Sequence, residues 1–349
     1  MPILYENKFR AIVRLCVTAV LSVMTVMYAS AQLSTPARMS SKDMTSVYGT
    51  DFYVNGRILL PQGVNYYPQK TPWKRFWPLY DRNIVGKDLR LIKRLGFNIV
   101  RIFIGDSDLT GEKRTSHSIG QLRNFLDLAR QRGLKVIVTL FDFMGDYSTQ
   151  GNASTERQLR LLLTSFCHHS AIFAWDIKNE PDLDFHEDPA RVVHWLGLML
   201  EQARRYDTCH LFTIGWAHPE HAMLLADKVD FVSFHSYRRS DSLSADLSKL
   251  LLQTAGKPVM LEEFGAPTYA GTQDPEAVME EQQAQYFSAV RKVLFQHGKI
   301  PWLVWTLYDF QEEMVPAPGR SAIQRAEQSR FGILRMDGSF KRGVDALRR

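Results

Sequence analysis

The chain has 349 residues, of which 45% are hydrophobic and 23% charged, with a formal net charge of +6. This composition can bury a large core and fits one large α/β barrel as well as two smaller domains. The basic residues are scattered along the chain, and no basic tract is interleaved with aromatic residues, so no nucleic-acid partner is expected.

The first 31 residues resemble an export signal. Lys8, Arg10 and Arg14 precede an apolar run over residues 15–28, which ends at Ala29-Ser30-Ala31. This layout predicts a signal peptide over residues 1–31, with cleavage after Ala31. An uncleaved anchor is the alternative, but the run is shorter than the ~20 apolar residues that a membrane span needs. We therefore expect a periplasmic or secreted protein of residues 32–349 with no stable membrane association.

Two cysteines, Cys167 and Cys209, remain after removal of the signal. An oxidising export compartment permits a disulfide between them. Two separate buried thiols are an equally good interpretation, and neither cysteine has zinc-site spacing to another Cys or His.

From residue 52 onward, short β-rich apolar runs alternate with amphipathic stretches of helical period, which is typical of repeated βα units. Eight strands are predicted: Gln62–Tyr66, Asn98–Ile104, Lys135–Phe141, Ile172–Asn179, Leu211–Trp216, Phe231–Tyr237, Val259–Phe264 and Leu303–Leu307. Ahead of them, Asn55-Gly56 between apolar residues predicts a β-hairpin over Phe52–Leu59. The fold class is therefore α/β, a single-domain (β/α)8 TIM barrel with a hairpin at its bottom.

This arrangement brings two acidic residues together, because the C-terminal ends of all barrel strands lie at the same face of the barrel. Glu180 ends strand four and Glu263 lies at the end of strand seven. Two carboxylates about 5 to 5.5 Å apart can cleave a glycosidic bond with retention of configuration, one attacking the anomeric carbon while the other protonates the leaving oxygen. Taken singly, either could be a helix cap or a surface charge.

The motifs Asn179-Glu180-Pro181 and Glu263-Phe264-Gly265 resemble those of glycoside hydrolase clan A, specifically family 5, across nearly all of residues 32–349. The resemblance implies that Glu180 is the acid/base and Glu263 the nucleophile of a double displacement without metal or cofactor. Of the two adjacent strand-seven acids, strand alternation favours Glu263 and predicts that Glu262 points outward or pairs with a neighbour. Glu180 is expected to have a raised pKa.

The same resemblance implies roles for five more residues: Arg101, Asn179, His235, Tyr237 and Trp305. Arg101 would orient the nucleophile and keep it ionised, and Asn179 would bind the sugar 2-hydroxyl. His235 and Tyr237 form the strand-six pair, in which the tyrosine donates to Glu263. Trp305 would stack on the sugar at the cleavage point.

The substrate is a polysaccharide or oligosaccharide, and a β-1,4-linked glucan or mannan cleaved internally is expected. Phe141 stands where many family members have a histidine, which leaves a mannanase-like activity open. Asp142 is a candidate for contacts with sugar hydroxyls, although a solvated loop acid is equally compatible. Aromatic residues suited to stacking on pyranoses crowd the mouth: Tyr66, Tyr67, Trp73, Phe76, Trp77 and Trp216.

Three other functions are alternatives to glycoside hydrolysis. A metal-dependent hydrolase needs clustered ligands, whereas His218 and His221 look like two isolated loop histidines. A catalytically weak carbohydrate-binding barrel is disfavoured because the whole set of family-like residues is present. Transglycosylation, for example on a bacterial exopolysaccharide, differs only in the acceptor, and the sequence leaves it open. A monomer is expected.

Overall fold

Eight parallel strands form a closed barrel in the computed structural model, which describes residues 43–109, 112–186, 188–254, 256–269, 271, 276–317 and 319–348. The barrel strands are β4 (Gln62–Asn65), β5 (Ile99–Gly105), β6 (Lys135–Asp142), β7 (Ile172–Asn179), β8 (Leu211–Trp216), β9 (Val232–His235), β10 (Val259–Phe264) and β11 (Trp302–Val304). The barrel closes where β11 pairs with β4. The predicted TIM barrel is confirmed, and all eight predicted strands are present with ends that differ by a few residues.

Helices surround the barrel. The α-helices are α1 (Arg82–Arg94), α2 (Glu112–Gln131), α3 (Thr149–Phe166), α4 (Pro189–Tyr206), α5 (Ser240–Gln253), α6 (Glu276–Gln296), α7 (Ala322–Gln328) and α8 (Gly343–Arg348). One βα unit departs from the prediction, because the connection from β8 to β9 contains the 3-10 helix Pro219–His221 in place of an α-helix. The stretch after β11 includes α7.

A small antiparallel sheet precedes the barrel. It consists of β1 (Thr45–Tyr48), β2 (Asp51–Val54) and β3 (Arg57–Leu59), of which β1 was not predicted. Asn55 and Gly56 connect β2 to β3 with φ of 56° and 70°, as a tight hairpin turn of the I′ kind requires.

The hairpin covers the N-terminal ends of the barrel strands. Phe52 is 1% exposed and joins a separate apolar cluster with residues near the starts of the barrel strands. Its ring lies 4.9 Å from that of Phe173 and 5.2 Å from that of Phe231. The predicted position of the hairpin, at the bottom of the barrel, is therefore confirmed.

The N-terminal signal predicted over residues 1–31 lies outside the described residues. Among the helices that are described, none combines the length and apolar character needed to cross a membrane. Cys167 and Cys209 are both half-buried free thiols, so the structure contains no disulfide between them.

Candidate active site

The two acidic residues singled out in the sequence come together at the C-terminal end of the barrel. Glu180 follows β7 in the left-handed region (φ 48°, ψ 50°), and its N–H donates to the Gly215 carbonyl at 2.7 Å. A Glu180 carboxylate oxygen, a Glu263 carboxylate oxygen and a His235 ring nitrogen all lie within 4.8 Å of one another. The nearest oxygens of the two carboxylates are therefore close enough for both groups to act on one glycosidic bond, as in a retaining glycosidase.

Arg101 is the fully buried centre of this site. It extends from β5, donates through Nη1 to Glu263 Oε1, and donates through Nη2 to Asp176 Oδ2 at 2.7 Å and to Asn179 Oδ1 at 2.9 Å. Burial opposes its charge, but the surrounding carboxylates Glu262, Asp176 and Glu263 outweigh this and raise the Arg101 pKa. The guanidinium therefore remains a fixed positive charge against the proposed nucleophile.

Asp176 holds Arg101 in place and Gly215 leaves space for the pair, and neither residue was predicted from the sequence. Asp176 accepts from Thr139 Oγ1 at 2.8 Å and from the Gly215 N–H at 2.9 Å, besides its ion pair with Arg101. A Cβ at position 215 would lie 2.9 Å from Glu262 Oε2, 3.0 Å from Arg101 Nη2 and 3.1 Å from Asp176 Oδ2. Glycine at this position in β8 thus leaves room for the charge cluster.

Glu262 also belongs to this cluster. Of the two predicted alternatives, pointing outward or pairing with a neighbour, the structure shows the second. Glu262 does not point outward but is fully buried, with Oε1 3.5 Å from Arg101 Nε and Oε2 accepting from Ser233 at 2.8 Å. The register of β10 shifts between Leu261 and Glu263, so simple alternation does not hold there. Burial raises the Glu262 pKa to about 7, although Arg101 opposes the rise.

The half-buried Glu180 pairs with the buried His235, whose Nδ1 lies 2.9 Å from Glu180 Oε1. Burial favours the neutral carboxyl, but the hydrogen bond and positive charge of His235 outweigh it and lower the Glu180 pKa. Burial opposes the charge on His235, whereas the charges of Glu263 and Glu180 raise its pKa. The expected raised pKa of Glu180 is therefore wrong for the ligand-free protein, because the hydrogen bond and charge of His235 favour the ionised carboxyl.

Tyr237 and Trp305 complete the surroundings of Glu263. The Tyr237 hydroxyl donates to Glu263 Oε2 at 2.7 Å. The Trp305 ring meets Phe103 edge-on at 5.9 Å, and among the described residues its indole N–H has no hydrogen-bond acceptor. Both residues line the cavity above the carboxylates, so a ligand can meet an aromatic ring and an available donor there.

A cavity of about 210 Å³ lies over the two carboxylates. It adjoins a second cavity of about 150 Å³, and the two share Tyr67, Trp73 and Asp142 among their walls. Tyr67 donates to Asp142 at 3.2 Å, and burial raises the pKa of Asp142 to about 6. Asp142 is therefore a buried cavity acid, and its interpretation as a solvated loop residue is wrong.

Two predicted sugar contacts lie away from these cavities. Tyr66 is fully buried and donates to Asp88 at 2.8 Å, so it connects β4 to α1. Trp216 is 2% exposed, and its ring packs against Phe185 at 6.3 Å. Neither lines either cavity. Both are aromatic residues of the barrel periphery, which sequence alone cannot tell from mouth residues.

The cavity also contains residues that the sequence did not single out. They are Phe103, Phe143, Arg320, Gln328 and Phe331. The last three come from the stretch after β11, which follows a strand at the C-terminal face of the barrel where barrel enzymes carry their sites.

Within the part of the chain that the structure describes, two groups of side chains have the composition of a metal site: Glu180 with His235 and Glu263, and Asp182 with His218 and His221. In the first group, Arg101 already neutralises Glu263. The second group corrects the interpretation of His218 and His221 as isolated, since both contact Asp182.

Comparison with known proteins gives the family. The model for cellulase (glycosyl hydrolase family 5) matches residues 65–311. A protein of Emericella nidulans named probable mannan endo-1,4-beta-mannosidase F is 24% identical over 295 residues, covering 66% of each chain. Mannan endo-1,4-beta-mannosidase A of Hypocrea jecorina is 24% identical over 307 residues, covering 71% of this chain and 69% of its own. The match thus spans about two thirds of these relatives.

Solved structures share the barrel. An exo-beta-1,4-mannosidase from Opitutaceae bacterium strain TAV5 superposes with a TM-score of 0.71 at 21% identity, covering 87% of this chain and 61% of its own. A GH5_18 protein from Streptomyces cattleya, in complex with Manb1-4GlcNAc, has a TM-score of 0.65 at 21% identity, covering 82% and 79%. With the family model matching most of the chain, this protein belongs to glycosyl hydrolase family 5.

Proposed function

We propose that this protein is a retaining β-glycoside hydrolase that cleaves β-1,4-mannan internally. The observation that carries the proposal is the approach of Glu180, His235 and Glu263 to within 4.8 Å at the barrel mouth, with Arg101 ion-paired to Glu263. The short separation supports a double displacement, in which the sugar is held covalently between two steps.

In the first step, a Glu263 oxygen attacks the anomeric carbon while the glycosidic C–O bond breaks. Arg101 and Tyr237 both donate to Glu263, which orients the carboxylate for the attack. The leaving oxygen takes a proton from Glu180. In the second step, water attacks the anomeric carbon, Glu180 takes its proton, and the bond to Glu263 breaks.

The proton for the first step comes from the Glu180–His235 pair. In the free protein the imidazole holds it, and the 2.9 Å contact allows its transfer to Glu180. A sugar in the cavity excludes water from the pair, which favours the neutral carboxyl over the ion pair. The pair thus supplies a protonated acid at the moment when the leaving oxygen is adjacent.

Mannan is the proposed substrate because the curated relatives are named mannan endo-1,4-beta-mannosidases. Internal cleavage is supported by the two adjoining cavities, which offer consecutive sugar positions along the mouth. The GH5_18 structure is a complex with Manb1-4GlcNAc, so one protein with this type of barrel binds a mannoside, which also supports a mannose-containing substrate.

Export is part of the proposal. The charged segment, apolar run and Ala29-Ser30-Ala31 support cleavage after Ala31 and action in the periplasm or outside the cell. N-terminal sequencing of the mature protein tests this, and a chain that still begins at Met1 would contradict it.

The enzymatic test compares hydrolysis of β-1,4-mannan, β-1,4-glucan, xylan and β-1,3-glucan by the mature wild type. The variants are Glu180→Gln, Glu263→Gln and, as a matched control, the exposed Glu313→Gln. We expect mannan to be preferred, with activity reduced by about 10³-fold or more in the first two variants and unchanged in the control.

Two further readouts separate the roles. An aryl β-mannoside with a good leaving group needs no proton, so Glu180→Gln should still release the phenol in a burst, whereas Glu263→Gln should not. NMR of the first product should show the retained β-anomer, and mannohexaose should yield fragments of several sugars. An inverted anomer, or full activity of Glu263→Gln, would refute the mechanism, and release of mannose units alone would refute internal cleavage.

A further inference from the structure

A second polar cluster lies beside the candidate active site, on the connections that follow β7 and β8. Asp182 belongs to the 3-10 helix Pro181–Asp184. His218 immediately precedes the 3-10 helix Pro219–His221, and His221 is its last residue. Each histidine places its Nδ1 2.9 Å from the same atom, Asp182 Oδ2. Asp182 is fully buried, whereas the two histidine side chains are 45% and 37% exposed.

The hydrogen bonding of this cluster is overcrowded. Asp182 Oδ2 faces His218 Nδ1 and His221 Nδ1 and also accepts from the His218 backbone N–H at 3.0 Å. A carboxylate oxygen offers about two lone-pair positions, so three N–H groups compete for them. A cation held by the imidazole lone pairs and the carboxylate would remove this competition. The other carboxylate oxygen, Oδ1, keeps the Ala217 N–H at 2.8 Å and so fixes the carboxylate.

We propose that Asp182, His218 and His221 bind one zinc ion, separate from the glycosidase centre. Two imidazoles and a carboxylate are zinc ligands, and in tetrahedral geometry with bonds of about 2.0 to 2.1 Å neighbouring ligand atoms lie about 3.3 Å apart. The contacts of 2.9 Å need to open by only about 0.4 Å, which rotation of the exposed rings allows.

The ring geometry leaves space for the ion. The imidazoles of His218 and His221 meet nearly at right angles, 85° between planes, with their centroids 5.9 Å apart. Water can fill the fourth position, since both rings are partly exposed. The ion would tie the connection after β7 to that after β8. The ion would also stabilise the 3-10 helix that follows Glu180, because Asp182 belongs to that helix.

Zinc binding is measured on mature protein without a histidine tag, treated with EDTA and dialysed, by titration calorimetry with ZnCl₂. The variants are His218→Asn and His221→Asn, because the Asn side-chain nitrogen takes the place of the imidazole Nδ1 and can donate to Asp182. The matched control is His194→Asn, at an exposed position of α4. We expect one equivalent of Zn²⁺ in the wild type and control, and an affinity at least tenfold lower in each variant.

Co²⁺ gives an independent readout, because a tetrahedral site produces visible absorption that should vanish in both variants. Zn²⁺ should also raise the Tm of the wild type and control but not of the variants. Absence of Zn²⁺ binding in the wild type, or unchanged binding in both variants, would overturn the inference. In either case the cluster is only a hydrogen-bonded cap. The measurements use no sugar substrate, so this failure leaves the proposed function intact.

Discussion

Gly215→Ala tests whether the charge cluster around Arg101 is rigidly packed. A methyl group there meets three charged atoms at 2.9, 3.0 and 3.1 Å, whereas ordinary contacts begin at 3.4 Å. The neighbours must therefore move by about 0.3 to 0.5 Å. They resist because Glu262 Oε2 is held by Ser233 at 2.8 Å, and Arg101 and Asp176 hold each other at 2.7 Å.

The expected cost follows from overpacking a closed site, about 1 to 3 kcal/mol. With an unfolding entropy of about 2.1 cal/mol/K per residue, that corresponds for residues 32–349 to a loss of roughly 1.5 to 4.5 °C in Tm. Displacement of Arg101 also shifts Glu263, and because misplacement by ~1 Å costs about 100-fold, we expect kcat/KM on mannan to fall about tenfold. Differential scanning calorimetry and initial rates measure the two effects.

Gly120→Ala is the matched control, because it makes the same substitution where space is open. Gly120 is exposed within α2, and a Cβ there meets nothing within 4 Å. Alanine should stabilise this helix by about 0.5 to 1 kcal/mol. The reasoning fails if Gly215→Ala retains both the Tm and the kcat/KM of the wild type while the control behaves as expected.

Three further predictions rest on single contacts. Tyr237→Phe removes a 2.7 Å hydrogen bond to Glu263, so kcat/KM should fall about 10- to 100-fold with unchanged Tm; a wild-type rate would contradict this role. Glu262 has a pKa of about 7 when folded and 4.5 in its ordinary state, so its stabilising effect is complete below pH 4.5 and is lost as the pH rises through 7. Urea unfolding measures this: between pH 4.5 and 7, the free energy of unfolding of the wild type should fall by about 3 kcal/mol more than that of Glu262→Gln. If the two proteins show the same dependence of unfolding free energy on pH, the pKa shift is refuted. Phe52→Ala should cost about 3 to 5 kcal/mol, whereas Tyr48→Ala, at an exposed position, should cost under about 0.5; equal Tm values would show that Phe52 does not close the barrel.

Much of the architecture could be predicted from local sequence. Alternation of β-rich runs with amphipathic stretches located all eight strands, because the period of apolar residues reports which face of an element is buried. Asn55-Gly56 identified the hairpin, since both positions require positive φ. The short motifs around Glu180 and Glu263 were visible because each belongs to one strand end, and barrel closure then brings them into the same mouth.

Other features depend on contacts between distant strands. Asp176 and Gly215 have ordinary surroundings in sequence, and their roles arise only where β7 and β8 lie beside Arg101 of β5. The inward position of Glu262 depends on a register shift in β10, which no periodic pattern shows.

The protonation of Glu180 was decided by tertiary structure as well. Burial and a neighbouring carboxylate predict a raised pKa for Glu180. His235, which lies on another strand, lowers this pKa through its hydrogen bond and charge. The pairing of Asp182 with His218 and His221 likewise joins residues more than thirty positions apart. Local sequence determined which eight strands form the barrel and placed Glu180 and Glu263 close to the ends of two of them. The tertiary structure decided which charges are buried together, because electrostatic interactions depend on distance and burial and not on order along the chain.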